Sequence, residues 1–214
     1  MRILLLTRLF SGLEASIEKE VWCPKGIPTI YKLIEKLSQL DNVDLYVIFT
    51  EKGNKNQKLR NIRFHNINAK FLILPSTGLS VMGRGKYIIN QFYQFVFLVF
   101  KVLVCRYDLI YSDRTNIEAG AFFANVLNQK VVLRLLGVYP EMKDLYKGKK
   151  KLSLFQKIQK ISYGANFKNI ICTQDGSGGE VFIENVCNKE CKNEMLVNGI
   201  DTFDFVKEKS DFIK

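Results

Sequence analysis
The chain has 214 residues, a net charge of +11, 47% hydrophobic and 25% charged residues, which suits one sizeable buried core and excludes a disordered or fibrous polypeptide. Its five cysteines, Cys23, Cys105, Cys172, Cys187 and Cys191, follow no disulfide framework; reduced thiols in a reducing compartment are expected. Cys187 and Cys191 have no second Cys/His pair to complete a tetrahedral site, so no metal is expected.

In chain order, residues 2–7 (Arg-Ile-Leu-Leu-Leu-Thr) are too short for a signal-peptide core and predict a buried first strand. A long loop from Arg8 through Gly26 leads to a helix over 28–40, where Ile30, Leu33, Ile34, Leu37 and Leu40 form one stripe and Pro28 sits in the first turn. Strands are predicted over 44–50, 62–67 and 71–74. His65, the one histidine, falls in the second of these among polar neighbours and reads as a surface residue.

A helix over 86–106 follows. Lys86, Asn90, Gln94 and Lys101 share a stripe that also takes in Phe97, and most of the remainder is aromatic or aliphatic. Two readings stand: a helix packed deeply on a sheet, or one that presents aromatic residues to a membrane beside basic neighbours. In the second, Arg84, Lys86 and Lys101 meet headgroups and Phe97 inserts. The apolar stretch 95–104 is interrupted by Lys101 and falls short of the roughly 20 residues that span a bilayer.

A strand over 108–112 runs into Asp113-Arg114-Thr115-Asn116 and a helix over 116–128, capped by Thr115 or Asn116. A strand over 131–135 contains Arg134 and leads to Leu136-Gly137-Val138-Tyr139-Pro140-Glu141. An amphipathic, Lys-rich helix is expected over 152–163 and a strand over 169–173. The turn Gln174-Asp175-Gly176-Ser177-Gly178-Gly179 enters a helix over 177–186, and a last strand covers 194–197. That turn reads either as an anion site at a helix N-terminus or as a tight turn with an ordinary cap.

Continuous apolar strands alternating with helices predict a Rossmann-like, doubly wound α/β domain with a mainly parallel sheet and helices on both faces. Ligands of such sheets bind beyond the carboxyl ends of the strands. The candidate binding residues are therefore Gly26, Thr29, Asp113, Arg114, Arg134, Gly137, Tyr139, Glu141, Gln174 and Asp175, with a buried structural ion pair as the alternative for Arg134.

Charge is uneven. The window 52–107 has no Asp or Glu against ten Lys or Arg, and 145–174 has none against seven Lys. A basic face toward phosphates, anionic lipid or nucleic acid is one reading; a solvated surface is the other. Several chemistries lack their residues. The first unit has no G-x-G-x-x-G. The run Gly78 to Arg84 has P-loop spacing without its Lys-[Ser/Thr]. There is no G-x-S-x-G elbow and no Asp-x-Asp.

Met1-Arg2-Ile3-Leu4, Lys25-Gly26-Ile27-Pro28, Tyr107-Asp108-Leu109-Ile110-Tyr111, the segment 120–127 with Lys130-Val131-Val132, and Met195-Leu196-Val197-Asn198-Gly199-Ile200-Asp201 together resemble the N-terminal domain of family-4-like retaining GT-B glycosyltransferases. The resemblance follows the order and spacing of these segments over nearly the whole chain. It implies an acceptor-side domain over 1–197 and the start of an interdomain linker over 198–214, with the donor-binding domain absent. It further implies a nucleotide-sugar donor held by a separate domain or subunit, no cofactor bound by this domain, and a glycan or lipid-linked acceptor in polysaccharide or glycolipid assembly. The family's donor-side Arg, Lys and Glu-x7-Glu are not found here, so the isolated chain is expected to be inactive, and no catalytic residue is assigned. Where many relatives place His-Gly, this chain has Leu136-Gly137. The alternative is a non-catalytic basic α/β module binding nucleic acid or anionic membrane, although no nucleic-acid motif is present. A cytoplasmic location is expected, with peripheral contact at the inner face of the plasma membrane.

Overall fold
The computed structural model describes residues 1–9, 12–25, 28–50, 60–74, 84–147, 151–173 and 176–196. Eight strands form one sheet in the order β3-β4-β2-β1-β5-β6-β7-β8: β1 (Arg2–Arg8), β2 (Asp44–Thr50), β3 (Arg60–Ile62), β4 (Lys70–Ile73), β5 (Leu109–Asp113), β6 (Val131–Leu135), β7 (Asn169–Thr173) and β8 (Lys192–Leu196). Every pairing is parallel except β3 with β4. β1 sits centrally, Leu5 facing Val47 of β2 and Tyr111 of β5. Its residues Ile3, Leu4, Leu5 and Leu6 are all buried, because helices cover both sheet faces and alternation is lost.

Two cores result. One face carries α1 (Glu14–Lys19) and α2 (Pro28–Ser38). There Ile30, Tyr31 and Ile34 pack with Leu5, Val47 and Phe71. The other face carries α3 (Arg84–Cys105), α4 (Ile117–Asn125), α6 (Leu154–Tyr163) and α7 (Gly179–Val186), with the short α5 (Pro140–Lys143) between β6 and α6. Its core joins Leu4, Leu6, Leu98, Phe123, Leu133 and Phe182. α4 is rich in small residues, and a Cβ at Gly120 would lie 3.2 Å from the Ser112 hydroxyl oxygen, so this helix lies close against β5.

The parallel α/β architecture expected from the sequence is present, and the strands expected over 44–50, 131–135 and 169–173 have those bounds. Four local expectations are corrected. The strand expected over 62–67 is a short β3 ending at Ile62. Beyond it the Asn66 side chain accepts from Trp22 N (2.7 Å) and donates to Trp22 O (2.9 Å), so a side-chain amide takes the place of a strand partner. His65 is exposed, its backbone N donating to Glu20 O. The long first loop contains α1. Asn116 is the N-cap residue of α4, one of the two expected, but its side chain makes no capping hydrogen bond; the capping bond is made one turn earlier, where Asp113 accepts from Thr115 N ahead of a 3-10 turn at Arg114–Asn116. α6 starts at Leu154 behind a capping box made by Ser153 and Gln156.

The largest correction concerns α3. Its polar stripe points inward: Asn90 and Gln94 are 5% and 3% exposed and lie in register with buried Leu98 and Val102. Phe97 is half-buried and packs on the core, so it is not the exposed insertion residue expected above. Phe92, Phe100 and Val104 are instead 68%, 67% and 63% exposed.

Candidate strand-end site
In a parallel sheet the carboxyl ends of all strands share one edge, and here that edge is organised by a buried polar knot. Asp113, at the end of β5 and 1% exposed, accepts five hydrogen bonds. They come from the Thr7 hydroxyl (2.8 Å), Arg8 N (2.8 Å), Thr115 N (3.0 Å), the Thr115 hydroxyl and Asn116 Nδ2 (2.9 Å). Asn116 in turn accepts from the Thr50 hydroxyl (2.9 Å). The ends of β1, β2 and β5 and the turn into α4 are thereby tied together. A carboxylate offers about four lone-pair sites, so Asp113 is saturated. Proposed above to contact a ligand, it instead positions the residues around it.

Arg114 projects from this knot. Its guanidinium carbon lies 3.7 Å from the Tyr139 ring centroid, and its Nη1 is 3.1 Å from Met142 Sδ. Tyr139 is the N-cap of α5, and Pro140 occupies the first helical position. The cation-π stack fixes Arg114 against the β6–α5 loop. Gly137, buried at φ 106°, makes the turn after β6 that a side chain would strain. Val138 N then donates to the Ser177 hydroxyl (2.7 Å), joining this loop to the one entering α7. A Cβ at Gly179 would meet Cys172 Sγ at 2.5 Å, so glycine there permits close approach of α7 to β7.

Arg134 is buried and donates to the Thr173 hydroxyl (2.9 Å). No carboxylate lies within ion-pair distance of it among the described residues, so the structural ion pair considered above is not seen among them. Burial pushes the Tyr111 hydroxyl up to about 12, with the Arg134 charge pulling the other way. Glu141 is exposed on α5. Thus Asp113, Arg114, Arg134, Gly137, Tyr139 and Glu141 gather at one edge, around the ends of β5 and β6. Gly26, Gln174 and Asp175 lie outside the described residues, as do the side chains of Thr29, Arg84 and Lys86, although Thr29 is in the first turn of α2 and Arg84 and Lys86 in that of α3. Lys101 is half-buried and lines a different depression with Lys70, Tyr46 and Tyr107, away from the exposed face of α3.

A cavity of ≈ 670 Å³ opens beside the polar knot, between α3, the start of α4 and α6. That is the size of a small-molecule site. Thr115, Asn116 and Glu118 form its polar end, with Gln91 and Gln94 from α3. Phe92, Phe95, Leu98, Phe155 and Ile158 form the apolar remainder. Glu118 is the one ionisable group among its described lining residues. A second depression of ≈ 740 Å³ lies against β2, β3 and β4. It takes in Asp41 to Val43 and Tyr107, which precede β2 and β5, and so reaches the amino-terminal edge, opposite the usual ligand edge. The first cavity was not anticipated from sequence. Its signal was present in the glutamines and phenylalanines at helical spacing over 88–98, but which stripe faced inward depended on the packing of α4 and α6.

No protein-family model matches this sequence, and no curated protein matches it at a significant level. Solved structures do. Sucrose-phosphate synthase from Thermosynechococcus elongatus superposes with a TM-score of 0.62 at 12% identity, over 94% of this chain and 49% of that one. Trehalose-6-phosphate synthase from E. coli bound with UDP-2-fluoro glucose gives 0.54 at 10% identity, over 94% and 49%. An Arabidopsis thaliana UGT complexed with UDP-L-rhamnose gives 0.54 at 9% identity, over 95% and 50%. This chain therefore spans about half the length of these neighbours. At such identities the likeness is one of fold: the domain has the Rossmann-like α/β architecture found in GT-B glycosyltransferases.

Proposed function
We propose that this chain is the acceptor-side half of a family-4-like retaining GT-B glycosyltransferase. It holds a glycan or lipid-linked acceptor, while a donor-binding half, in the same polypeptide or a separate subunit, brings the nucleotide-sugar. The observation that carries this reading is the cavity beside the strand-end edge, polar where it meets Thr115, Asn116 and Glu118 and apolar between α3 and α6. Sugar hydroxyls suit the first end and a hydrocarbon chain the second. Coverage of about half of each solved glycosyltransferase supports the two-half arrangement.

Glycosyl transfer builds negative charge on the leaving diphosphate, which needs preorganised cations. In this reading the donor half supplies them, and Glu118 and Asn116 orient the acceptor. Calorimetric titration tests the assignment, with octyl β-glucoside below its micelle concentration as an acceptor analogue and UDP as a donor fragment. Saturable glucoside binding, weakened about tenfold by Glu118→Gln, together with no saturable UDP binding, is expected. Tight UDP binding by residues 1–214 overturns the acceptor-side assignment.

A further inference from the structure
Helix α3 is inside-out. A helix covering a sheet in water buries its apolar stripe and solvates its polar one. α3 does the reverse over its first half, burying Asn90 and Gln94 and exposing Ile88, Phe92 and Val96; the exposed stripe continues through Phe100, Leu103 and Val104. α6 flanks the same cavity and leaves Leu154 and Ile161 at 76% and 74% exposure, with Phe155 and Ile158 also exposed. The two helices thus form one wide apolar face, of a kind that soluble monomers rarely leave open and that marks an interaction surface.

Its charge surroundings select the occupant. Neither α3 nor α6 contains an Asp or Glu. Lys157 and Lys160 lie on α6, Lys151 just before it and Arg106 directly after α3, and all four are exposed. A second copy of this face would bring like charges together. A donor half seated over the carboxyl ends of the strands would leave most of it uncovered: α3 starts at that edge and runs back along the sheet for roughly 33 Å. We propose that the α3–α6 face docks on an anionic lipid bilayer, lying in the interface with Phe92, Phe100, Val104, Leu154 and Ile161 inserted and the lysines at the headgroups. The stretch Ile88–Cys105 is long and apolar enough to cross a membrane. However, Leu98 and Val102 are packed in the core and α3 connects β4 to β5 of one sheet, so the helix lies flat. The cavity between α3 and α6 then opens toward the lipid. The docking does not depend on the transfer reading.

The test is cosedimentation of residues 1–214 with vesicles of phosphatidylcholine mixed with phosphatidylglycerol, and of phosphatidylcholine alone, across a salt series. Binding to the mixed vesicles that falls as salt rises is expected. Phe100→Ser/Val104→Ser, outside the cavity, should weaken it about tenfold or more, and Lys157→Glu/Lys160→Glu by a similar factor. The control Lys189→Glu/Lys192→Glu changes net charge equally at the β8 edge and should bind like wild type. Far-UV circular dichroism checks that each variant is folded. Equal binding to pure phosphatidylcholine, no binding, or equal loss in the control overturns the proposal. So does a dimer that Phe100→Ser/Val104→Ser converts to monomer while vesicle binding is unchanged.

Discussion
The two helical layers of this domain obey opposite rules. On the α2 side the amphipathic pattern and the structure agree up to the helix end at Ser38: Ile30, Tyr31 and Ile34 are buried while Lys32 and Lys36 are exposed, and Leu40 of the expected stripe, beyond the helix, is at the surface. Trp22 anchors this layer, with ring centroids 5.6 Å from Tyr31, 5.3 Å from Phe64 and 5.2 Å from Phe71. On the α3 side Phe92 and Phe100 face outward while the amides of Asn90 and Gln94 face inward. A layer that satisfies water needs no further partner; one that offers phenylalanine to it calls for another surface. The difference sets an exposed apolar surface on the α3–α6 layer against a fully amphipathic α2 layer, while both layers bury a core against the sheet.

The sharpest way to break this contrast is a matched pair of truncations. Trp22→Ala empties a packed aromatic cluster and should cost about 3–5 kcal/mol. Phe100→Ser removes an exposed ring and should change stability by no more than about 0.5 kcal/mol. Urea unfolding of both variants decides it, and a large loss from Phe100→Ser means the outer face of α3 is covered in the folded protein.

Next in size is the strand-end knot between the layers. Asp113→Ala strands the Thr7 hydroxyl and the Asn116 amide in a buried setting; a loss on the order of 3 kcal/mol is expected. If the variant melts like wild type, the five-donor arrangement around Asp113 contributes little and the site is not prepositioned by it.

Alkaline pH should act on the α3-side core specifically. Burial is the main cause that pushes the Cys187 thiol up to about 12 from an ordinary value near 9. A raised folded-state value means that the folded protein keeps a proton the unfolded chain has lost. The contribution is therefore fully present below pH about 9 and is lost as pH rises toward about 12. The Tyr163 hydroxyl, buried in the same core, is also pushed up by burial and acts in the same sense above its ordinary value near 10. Denaturation midpoints should fall across that window, and Cys187→Ala should flatten the fall. An unchanged slope would remove Cys187 as a contributor.

The smallest effect is expected at the exposed edge, where Lys70 lies 2.9 Å from Asp44. The hydrogen bond from Lys70 holds the Asp44 carboxyl below its usual range, so its contribution is present above the ordinary carboxylate value and lost as pH falls. Because the pair is solvent-screened, Asp44→Asn should cost no more than about 1 kcal/mol at neutral pH, measured by thermal unfolding.

The sequence by itself determined the parallel α/β plan, because strands buried on both faces read as short unbroken apolar runs, here set between longer amphipathic helical patterns; β2, β6 and β7 have the expected bounds. It also placed Asp113, Arg114, Arg134, Gly137 and Tyr139 at one edge, since strand direction alone puts residues after parallel strands together. Only the tertiary structure decided what those residues do. Whether Asp113 is a ligand or a knot depends on donors from β1 and from the turn before α4, more than a hundred residues away and a few residues away respectively. Likewise, the helix period fixed which residues of α3 share a stripe but not which stripe faces the sheet. That choice came from the neighbouring α4 and α6, whose packing buried Asn90 and Gln94, exposed Phe92 and Phe100, and opened the cavity between them. Periodicity is a local property of the chain, whereas inside and outside are settled by what the fold packs against each face.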